Sequence, residues 1–458
     1  MFVYYLPFIV LIFASLLSVL KSDFLAAFVS VLSSLVVSLL SIVILLKSNV
    51  NIGYLFIDGF SKIMIVLVSF IYLTTVLFSL TYLKHVEKPL LKRNFYFLYL
   101  NLFVLSMLFS VVVKNLGLIW VGIEATTITS ALLVAIDNDE PAIESAWRYI
   151  IIVSVGLIMS LVGVVFVYAA VHTLDITKIA NIKSANYKLL LLGSVFVVTG
   201  FATKAGIFPL HTWLPDVHGR AIAPISAIFS SILLPVALFG VYRVLSIVEI
   251  NSLHLYAVVL GFLSVIFASI FLVNQKFYKR MFAYSSIENM GMILIGLALF
   301  NRYAFLGAVV LLVSHAFAKS SAFYSTGNVL NVYKTREVSK VKGMVERLPF
   351  TAYSLVFSAL AVTGAPPFGT FLGELLIIYG VYTKFGLFWV LVLATFLVVA
   401  FMSVNYKIAR MAFSSSDFNR AERVRMSAFV PLLNVTVSFV IVFLVGLIEK
   451  ILMTGMIK

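Results

Sequence analysis

Apolar stretches of about twenty residues or more follow one another along nearly the whole chain, parted by short polar breaks. A membrane-crossing helix needs about 20 mostly apolar residues. On that basis the pattern predicts fourteen spans, near 2–20, 24–46, 60–83, 94–113, 116–136, 144–170, 188–208, 221–247, 253–273, 282–300, 303–332, 349–383, 385–406 and 427–450. The fold class is therefore an all-α polytopic membrane protein. Two spans read as discontinuous. The seventh ends in Lys204-Ala-Gly-Ile-Phe-Pro209 and the twelfth contains Gly364-Ala-Pro-Pro-Phe-Gly369. Proline removes a backbone donor and clashes with the preceding turn. A helix broken at membrane depth survives only when packed in protein or lining a wet cavity.

Buried charges give the breaks a meaning. Glu124 and Glu288, Arg148 and Lys319, and Lys204 and Glu374 are separated by similar intervals of 164, 171 and 170 positions. Spans four to eight and nine to thirteen thus read as two copies of a five-helix unit, inverted because each holds an odd number of spans. The chain divides into three N-terminal spans (1–93), a first repeat (94–247), a second repeat (253–412) and a last span (413–458).

Composition agrees with this reading. The 458 residues are 62% hydrophobic and 11% charged, far from the roughly 25% charged of a soluble domain. The net charge of +15 lies in short loops, so it speaks of topology rather than nucleic acid. Basic residues concentrate in odd-numbered loops: Lys84, Lys88, Lys92 and Arg93 in the third, Lys276, Lys279 and Arg280 in the ninth. Lys334, Arg336, Lys340, Lys342 and Arg347 follow in the eleventh, and Lys407, Arg410, Arg420, Arg423 and Arg425 in the thirteenth. These loops are expected at the cytoplasm and both termini outside. Lys178, Lys183 and Lys188 in the sixth loop weaken the contrast. Met1–Pro7 lacks a basic leader region and runs straight into a span, so no signal peptide is expected. The chain has no cysteine, which excludes Cys-ligated iron–sulfur clusters, Cys-bound zinc and thiol catalysis. Nor does it carry a phosphate-binding loop, a nucleophile elbow or an H-E-x-x-H zinc motif.

An ionisable residue near the bilayer centre costs at least ~3 kcal/mol, so its presence asks for a use. Glu124 sits in the fifth span with Lys204 as its natural partner beside the first break. Burial and a nearby carboxylate act in opposite senses on a lysine's proton affinity, so a movable carboxylate would switch it. A fixed ion pair is the bland alternative. His315 and Lys319, one helical turn apart in Ser314-His-Ala-Phe-Ala-Lys-Ser320, make the most relay-like element, and Glu374 supplies the carboxylate after the second break. Glu124, Lys204, His315, Lys319 and Glu374 are the expected proton relay. Accessory roles fall to Glu144 and Arg148, which read equally as an ordinary helix-surface pair or as a pair tuning Glu124, to Glu288, near a span end where snorkelling or capping is the alternative, and to His211 and His218. The run from His211 through Asp216 to His218 lacks further ligands and is read as a hydrogen-bonded turn rather than a metal site. No residue is assigned a catalytic role.

Trp120–Thr127, Ala146-Trp-Arg-Tyr149, His211-Thr-Trp-Leu-Pro-Asp216, Tyr284–Gly291, His315–Ser320 with Gly327-Asn328, and Gly364–Gly369 together carry a resemblance. The chain resembles the antiporter-like family of respiratory complex I proton-channel subunits, large Mrp antiporter subunits and membrane-bound hydrogenase subunits, most closely the hydrogenase-4 component F type. The resemblance implies a proton-translocating subunit in a prokaryotic plasma membrane, with sodium as the alternative ion. It also implies other membrane subunits and a soluble redox module as partners. Iron–sulfur clusters, and nickel–iron in a hydrogenase, would then lie in those partners, with no cofactor in this chain. An Mrp-type Na⁺/H⁺ antiporter subunit without a redox partner is the alternative. Two departures stand out: Pro235, where many members have a lysine in span eight, and Arg220, where an acidic residue is usual after His218.

Overall fold

A computed structural model describes residues 2–20, 22–179, 186–415, 422 and 426–453. Of the basic residues used for orientation, Lys183, Arg420, Arg423 and Arg425 lie outside the described residues. The N-terminal part comprises α1 (Leu6–Ser18), α2 (Asp23–Leu46), a hairpin of β1 (Val50–Ile52) and β2 (Leu55–Ile57), and α3 (Gly59–Tyr82). Next come α4 (Arg93–Val112), α5 (Leu116–Val134), α6 (Glu140–Val171), the single turn α7 (Ile176–Ile179), α8 (Tyr187–Lys204) and α9 (Trp213–Arg220). The eighth span is built from α10 (Ala223–Ile228), a π-helical segment Phe229–Leu233 and α11 (Leu234–Ile247). Beyond it lie α12 (Asn251–Val273), α13 (Tyr278–Ala298), α14 (Arg302–Tyr333), the single turn α15 (Met344–Arg347), α16 (Pro349–Val362) and α17 (Gly369–Phe385). The described part closes with α18 (Leu387–Phe413), α19 (Met426–Val440) and α20 (Val445–Met453).

Polar residues at the edges of the apolar runs start the helices. Ser22, Asp58, Asn115, Asp139, Asn186 and Asn301 each accept a backbone N–H from the first turn, satisfying donors that have no partner within the helix. Twelve helices among the described residues are long and apolar enough to cross a membrane. They differ from the fourteen spans read in the sequence at two places. The first span is realised as α1, only 13 residues long, and the twelfth is divided into α16 and α17.

Both breaks fall where proline and glycine interrupt the run. The chain leaves α8 through Gly206 at φ +73° and leaves α16 through Gly364 at φ +67°, a region that costs other residues roughly 1–2 kcal/mol. A cis peptide follows in each break, at Phe208–Pro209 and Pro366–Pro367. In span eight the missing N–H of Pro235 leaves no donor for the carbonyl four residues back, and the π-helical segment immediately precedes that proline. Nothing in the apolar periodicity announces the hairpin, a two-stranded pairing of Val50 with Ile57 and Ile52 with Leu55.

Helices packed without a hydrophobic drive between them rely on close backbone approach. At the crossing of α6 and α8, a Cβ placed on Gly193 would lie 2.9 Å from the Gly163 carbonyl oxygen. The span-eight helices, α13 and α14 form the centre and are almost wholly buried, whereas α18 is largely exposed. Where α3 begins, Asp58 meets Arg243 of α11 at 2.6 and 3.0 Å, both side chains buried, with Arg243 also donating to Ser61 at 2.7 Å. The Phe56 and Phe239 rings flank the guanidinium at 4.9 and 4.5 Å, which ties the hairpin to the central helices.

Candidate functional site: two buried lysine centres

The first centre forms where α5, α6 and α8 meet. Lys204, the last residue of α8, is fully buried and donates from Nζ to the hydroxyls of Thr127 at 2.8 Å and Tyr149 at 2.6 Å. Tyr149 in turn meets Ser130 at 2.8 Å, and its ring packs on Trp213. Trp213 donates back to the Thr203 carbonyl at 2.9 Å, fixing the break against the end of α8. Glu124, one turn before Thr127 on α5, is only partly buried. One of its oxygens receives Ser154 at 3.5 Å and the other has no hydrogen-bond partner. The expected partners therefore do not touch: Lys204 and Glu124 form no ion pair within 4.0 Å, and the lysine is held instead by hydroxyls.

The second centre repeats that chemistry between α13 and α14. Lys319 is fully buried and donates to the Phe282 carbonyl at 2.7 Å and to Ser285 Oγ at 2.5 Å. Glu288 lies one turn after Ser285 on the same helix and is 2% exposed. The sequence placed it near a span end; the structure puts it mid-helix in α13, deep in the protein, so the snorkelling alternative does not hold. Its carboxylate accepts from Asn289 at 2.7 Å, and Asn289 also donates to the Val362 carbonyl at the end of α16, joining this centre to the second break. Glu374 on α17 is buried with its carboxylate turned against Gly364, where a Cβ would overlap it. Thr370, one turn earlier, donates to the Ala361 carbonyl across the break.

The interval that matched Lys204 with Glu374 does not join equivalent places. Lys204 ends the helix before its break, whereas Glu374 stands in the helix after its break. Registered on Gly206 and Gly364, Lys204 falls opposite Val362. The second break thus has no lysine of its own, and Lys319 reaches its centre from the intact helix α14.

His315 is buried and faces the backbone of Ser230 in the π segment, with neither ring nitrogen meeting a partner at hydrogen-bond distance. Ser230 also meets Ser286 of α13 at 2.7 Å. His218 is buried, stacked on Phe323 with centroids 4.7 Å apart, and again both nitrogens are unpartnered. His211 packs among Phe208, Phe271 and Tyr284. Asp216 faces neither histidine; Arg148 and Arg280 engage it at 3.2 and 3.3 Å.

Glu144 and Arg148 form an i,i+4 pair at 2.5 Å with more than half of each side chain exposed. Arg148 reaches Asp216 rather than Glu124, which favours the surface-pair alternative over direct tuning. Sequence reasoning missed Thr127, Tyr149, Ser285 and Asn289 as partners. The signal was present in part: Thr127 follows Glu124 by three residues and Ser285 precedes Glu288 by three, spacings that share a helix face. Tyr149, next to Arg148, was overshadowed by the charge that points the other way.

This arrangement can hold and exchange protons, and no cluster of His, Asp or Glu that could hold a metal ion occurs among the described residues. Comparison with known proteins agrees with that character. Over 417 residues the chain is 30% identical to a hydrogenase-4 component F homolog of Methylacidiphilum infernorum, covering 87% of both chains. It is 29% identical over 387 residues to NADH-quinone oxidoreductase subunit M of Rickettsia prowazekii, covering 79% of this chain and 77% of that one. A chain of the membrane-bound sulfane sulfur reductase, an archaeal respiratory membrane complex, shares the fold with a TM-score of 0.91 at 24% identity, covering 99% and 96%. A chain of the Mrp complex from Dietzia sp. DQ12-45-1b does so with a TM-score of 0.88 at 18% identity, covering 99% and 97%. Residues 113–403 match the family described as NADH:quinone oxidoreductase/Mrp antiporter, TM, and the chain belongs to that family.

Proposed function

We propose that this chain is a proton-translocating membrane subunit of a redox-driven complex of the membrane-bound hydrogenase or complex I type. It carries protons between its two lysine centres while partner subunits carry the electrons. The observation that supports this best is shared by both centres. A fully buried lysine is held by a hydroxyl one helical turn from a carboxylate, yet makes no ion pair with it. A fixed salt bridge would be formed already. A lysine parked on neutral oxygens can pair with the carboxylate in another state, and pairing changes its proton affinity.

In the first centre Lys204 holds the proton on Nζ, and Glu124 approaching Thr127 would bind it more tightly. In the second, Lys319 and Glu288 do the same, with Glu374 beside the break as the terminal carboxylate and His315 facing Ser230 as the bridge between halves. A redox partner need only move one carboxylate to shift a lysine between its states. The membrane in this reading is a prokaryotic plasma membrane, and the excess of basic residues in odd-numbered loops supports an orientation with both termini outside.

The test is proton uptake by inside-out vesicles carrying the whole complex, measured together with electron transfer. Lys204→Ala and Glu374→Gln should each abolish uptake while the complex stays assembled and electron transfer partly survives; normal uptake in both would refute the relay. The likeness to an Mrp complex chain favours one other reading, a cation/proton antiporter subunit without a redox partner. Metal analysis of the mildly solubilised complex separates them. Nickel with abundant iron identifies a hydrogenase, iron alone a complex I-like reductase, and no transition metal the antiporter.

A further inference from the structure

A strongly basic cavity of about 210 Å³ opens at the membrane face that carries the basic loops, apart from both lysine centres. It lies where the starts of α6 and α13 meet α9 and the segment after α14. Five cations line it, Arg148, Arg220, Lys279, Arg280 and Arg336, against only two carboxylates, Glu144 and Asp216. Both are already engaged: Asp216 serves Arg148 and Arg280, and Glu144 serves Arg148. Arg336 reaches outside the cavity to Asp137, at 3.9 Å. Arg220 meets no carboxylate within 4.0 Å among the described residues. The buried Nε of Arg280 has no partner, and Lys279, 1% exposed, points its ammonium at the Ala221 carbonyl, 2.8 Å away. Guanidinium donors left open around one cavity favour an anion there.

We propose that the cavity binds the phosphate headgroup of an anionic phospholipid. Guanidinium forks match phosphate oxygens two at a time, and basic pockets between transmembrane helices are a recurrent headgroup site. The cavity is smaller than the ~300–1,000 Å³ of a site for a drug-sized molecule, which suits a headgroup. Its surroundings single out a lipid over a free anion. Trp147, beside Arg148, is 61% exposed, and Ile151, Val155 and Ile158 continue an exposed apolar track along α6 away from the cavity mouth. A tryptophan of this kind marks the headgroup level, and the apolar track behind it offers a surface along which an acyl chain can lie. The site does not depend on the proton-relay reading.

The experiment uses the intact complex, delipidated in detergent and then supplied with phosphatidylglycerol, phosphatidylcholine of the same chains, or inorganic phosphate. Phosphatidylglycerol should raise the thermal midpoint by several degrees more than phosphatidylcholine, and phosphate alone should not. The double variant Arg220→Gln/Arg336→Gln should lose most of that difference. Native mass spectrometry reads the single variant Arg220→Gln independently, expecting one fewer retained anionic lipid per copy. An unchanged phosphatidylglycerol preference in the double variant overturns the site, as does an unchanged lipid count in Arg220→Gln. Equal protection by inorganic phosphate makes it a free-oxyanion site and overturns the lipid assignment.

Discussion

Replacing Lys204 by methionine isolates the charge from the space it fills. The side chains are similar in length, so the region where Thr127, Tyr149 and Trp213 converge stays filled, unlike the cavity an alanine would leave. Two hydrogen bonds from a charged donor are lost, each worth about 1.5–3 kcal/mol. Against that, burying the ammonium costs several kcal/mol that methionine never incurs. Tyr149 keeps Ser130 as a partner, so only Thr127 needs a new one. The two effects oppose and are of similar size, leaving a net change within about 2 kcal/mol, too small to prevent assembly. Proton uptake has no such compensation, because methionine carries no proton. Inside-out vesicles should therefore show electron transfer at a measurable fraction of wild type and no acidification above the uncoupled baseline. A Lys204→Met complex with the wild-type ratio of protons to electrons would refute the claim that this ammonium carries the proton.

Asp58→Asn should behave in the opposite way, as a stability mutant. It breaks a buried, doubly bonded pair with Arg243, which costs about 3–5 kcal/mol, visible as a lower thermal midpoint. Burial alone pushes the Asp58 carboxyl up, but the Arg243 guanidinium and the Ser61 donors overcome that and hold it below its ordinary value of 3.8. Its contribution is therefore fully present above that value and lost as pH falls through the lower folded one, so acid titration of the midpoint should lose a step in the variant. Arg148→Ala should weaken coupling less than Lys204→Met and cost at most about 1 kcal/mol, since its pairs are half exposed; a larger pumping defect at Arg148 would reverse that order. Gly364→Ala should abolish uptake, because the residue sits at φ +67° and its new methyl would displace the Glu374 carboxylate; Gly53→Ala, at φ +58° with open space around it, controls for the backbone cost alone.

Much of this architecture was legible because a bilayer forces long apolar runs and penalises stray charge. The helices, both breaks and the presence of ionisable side chains inside the apolar body all follow from that pressure. What stayed hidden depends on neutral groups, which cost little to bury when bonded and so leave no mark in composition. Thr127 and Ser285 look like any other hydroxyl on an apolar helix, yet each holds a lysine. The carboxylates misled in two ways. Glu288 looked peripheral because polar neighbours surround it in sequence, Tyr284, Ser285, Ser286 and Asn289, but Ser286 and Asn289 face other central helices rather than water. Glu374 looked like the counterpart of Lys204 because only spacing was available, and spacing does not say on which side of a break a residue falls. The hairpin escaped because three-residue strands carry too few positions for a period-two signal.

Pro235 bears on how the two halves communicate. A lysine in span eight would provide a third charged stepping point between Lys204 and Lys319. With proline there, the helix passes through the π segment Phe229–Leu233, within which the Ser230 hydroxyl meets that of Ser286 and the Ser230 backbone faces His315. Such π segments are frequent at functional sites because the extra residue loosens the ladder locally. The groups that face one another between the two centres are then a histidine and a pair of serines rather than a lysine. On the proposed relay, a proton leaving the first centre would meet no lysine before Lys319. His315→Phe should accordingly stop transfer between the halves while both lysine centres keep their contacts. Uptake should be lost with the thermal midpoint nearly unchanged, since phenylalanine fills the buried site with a ring of similar size. If uptake survives, protons cross between the halves by another route and the bridge assigned to His315 is wrong.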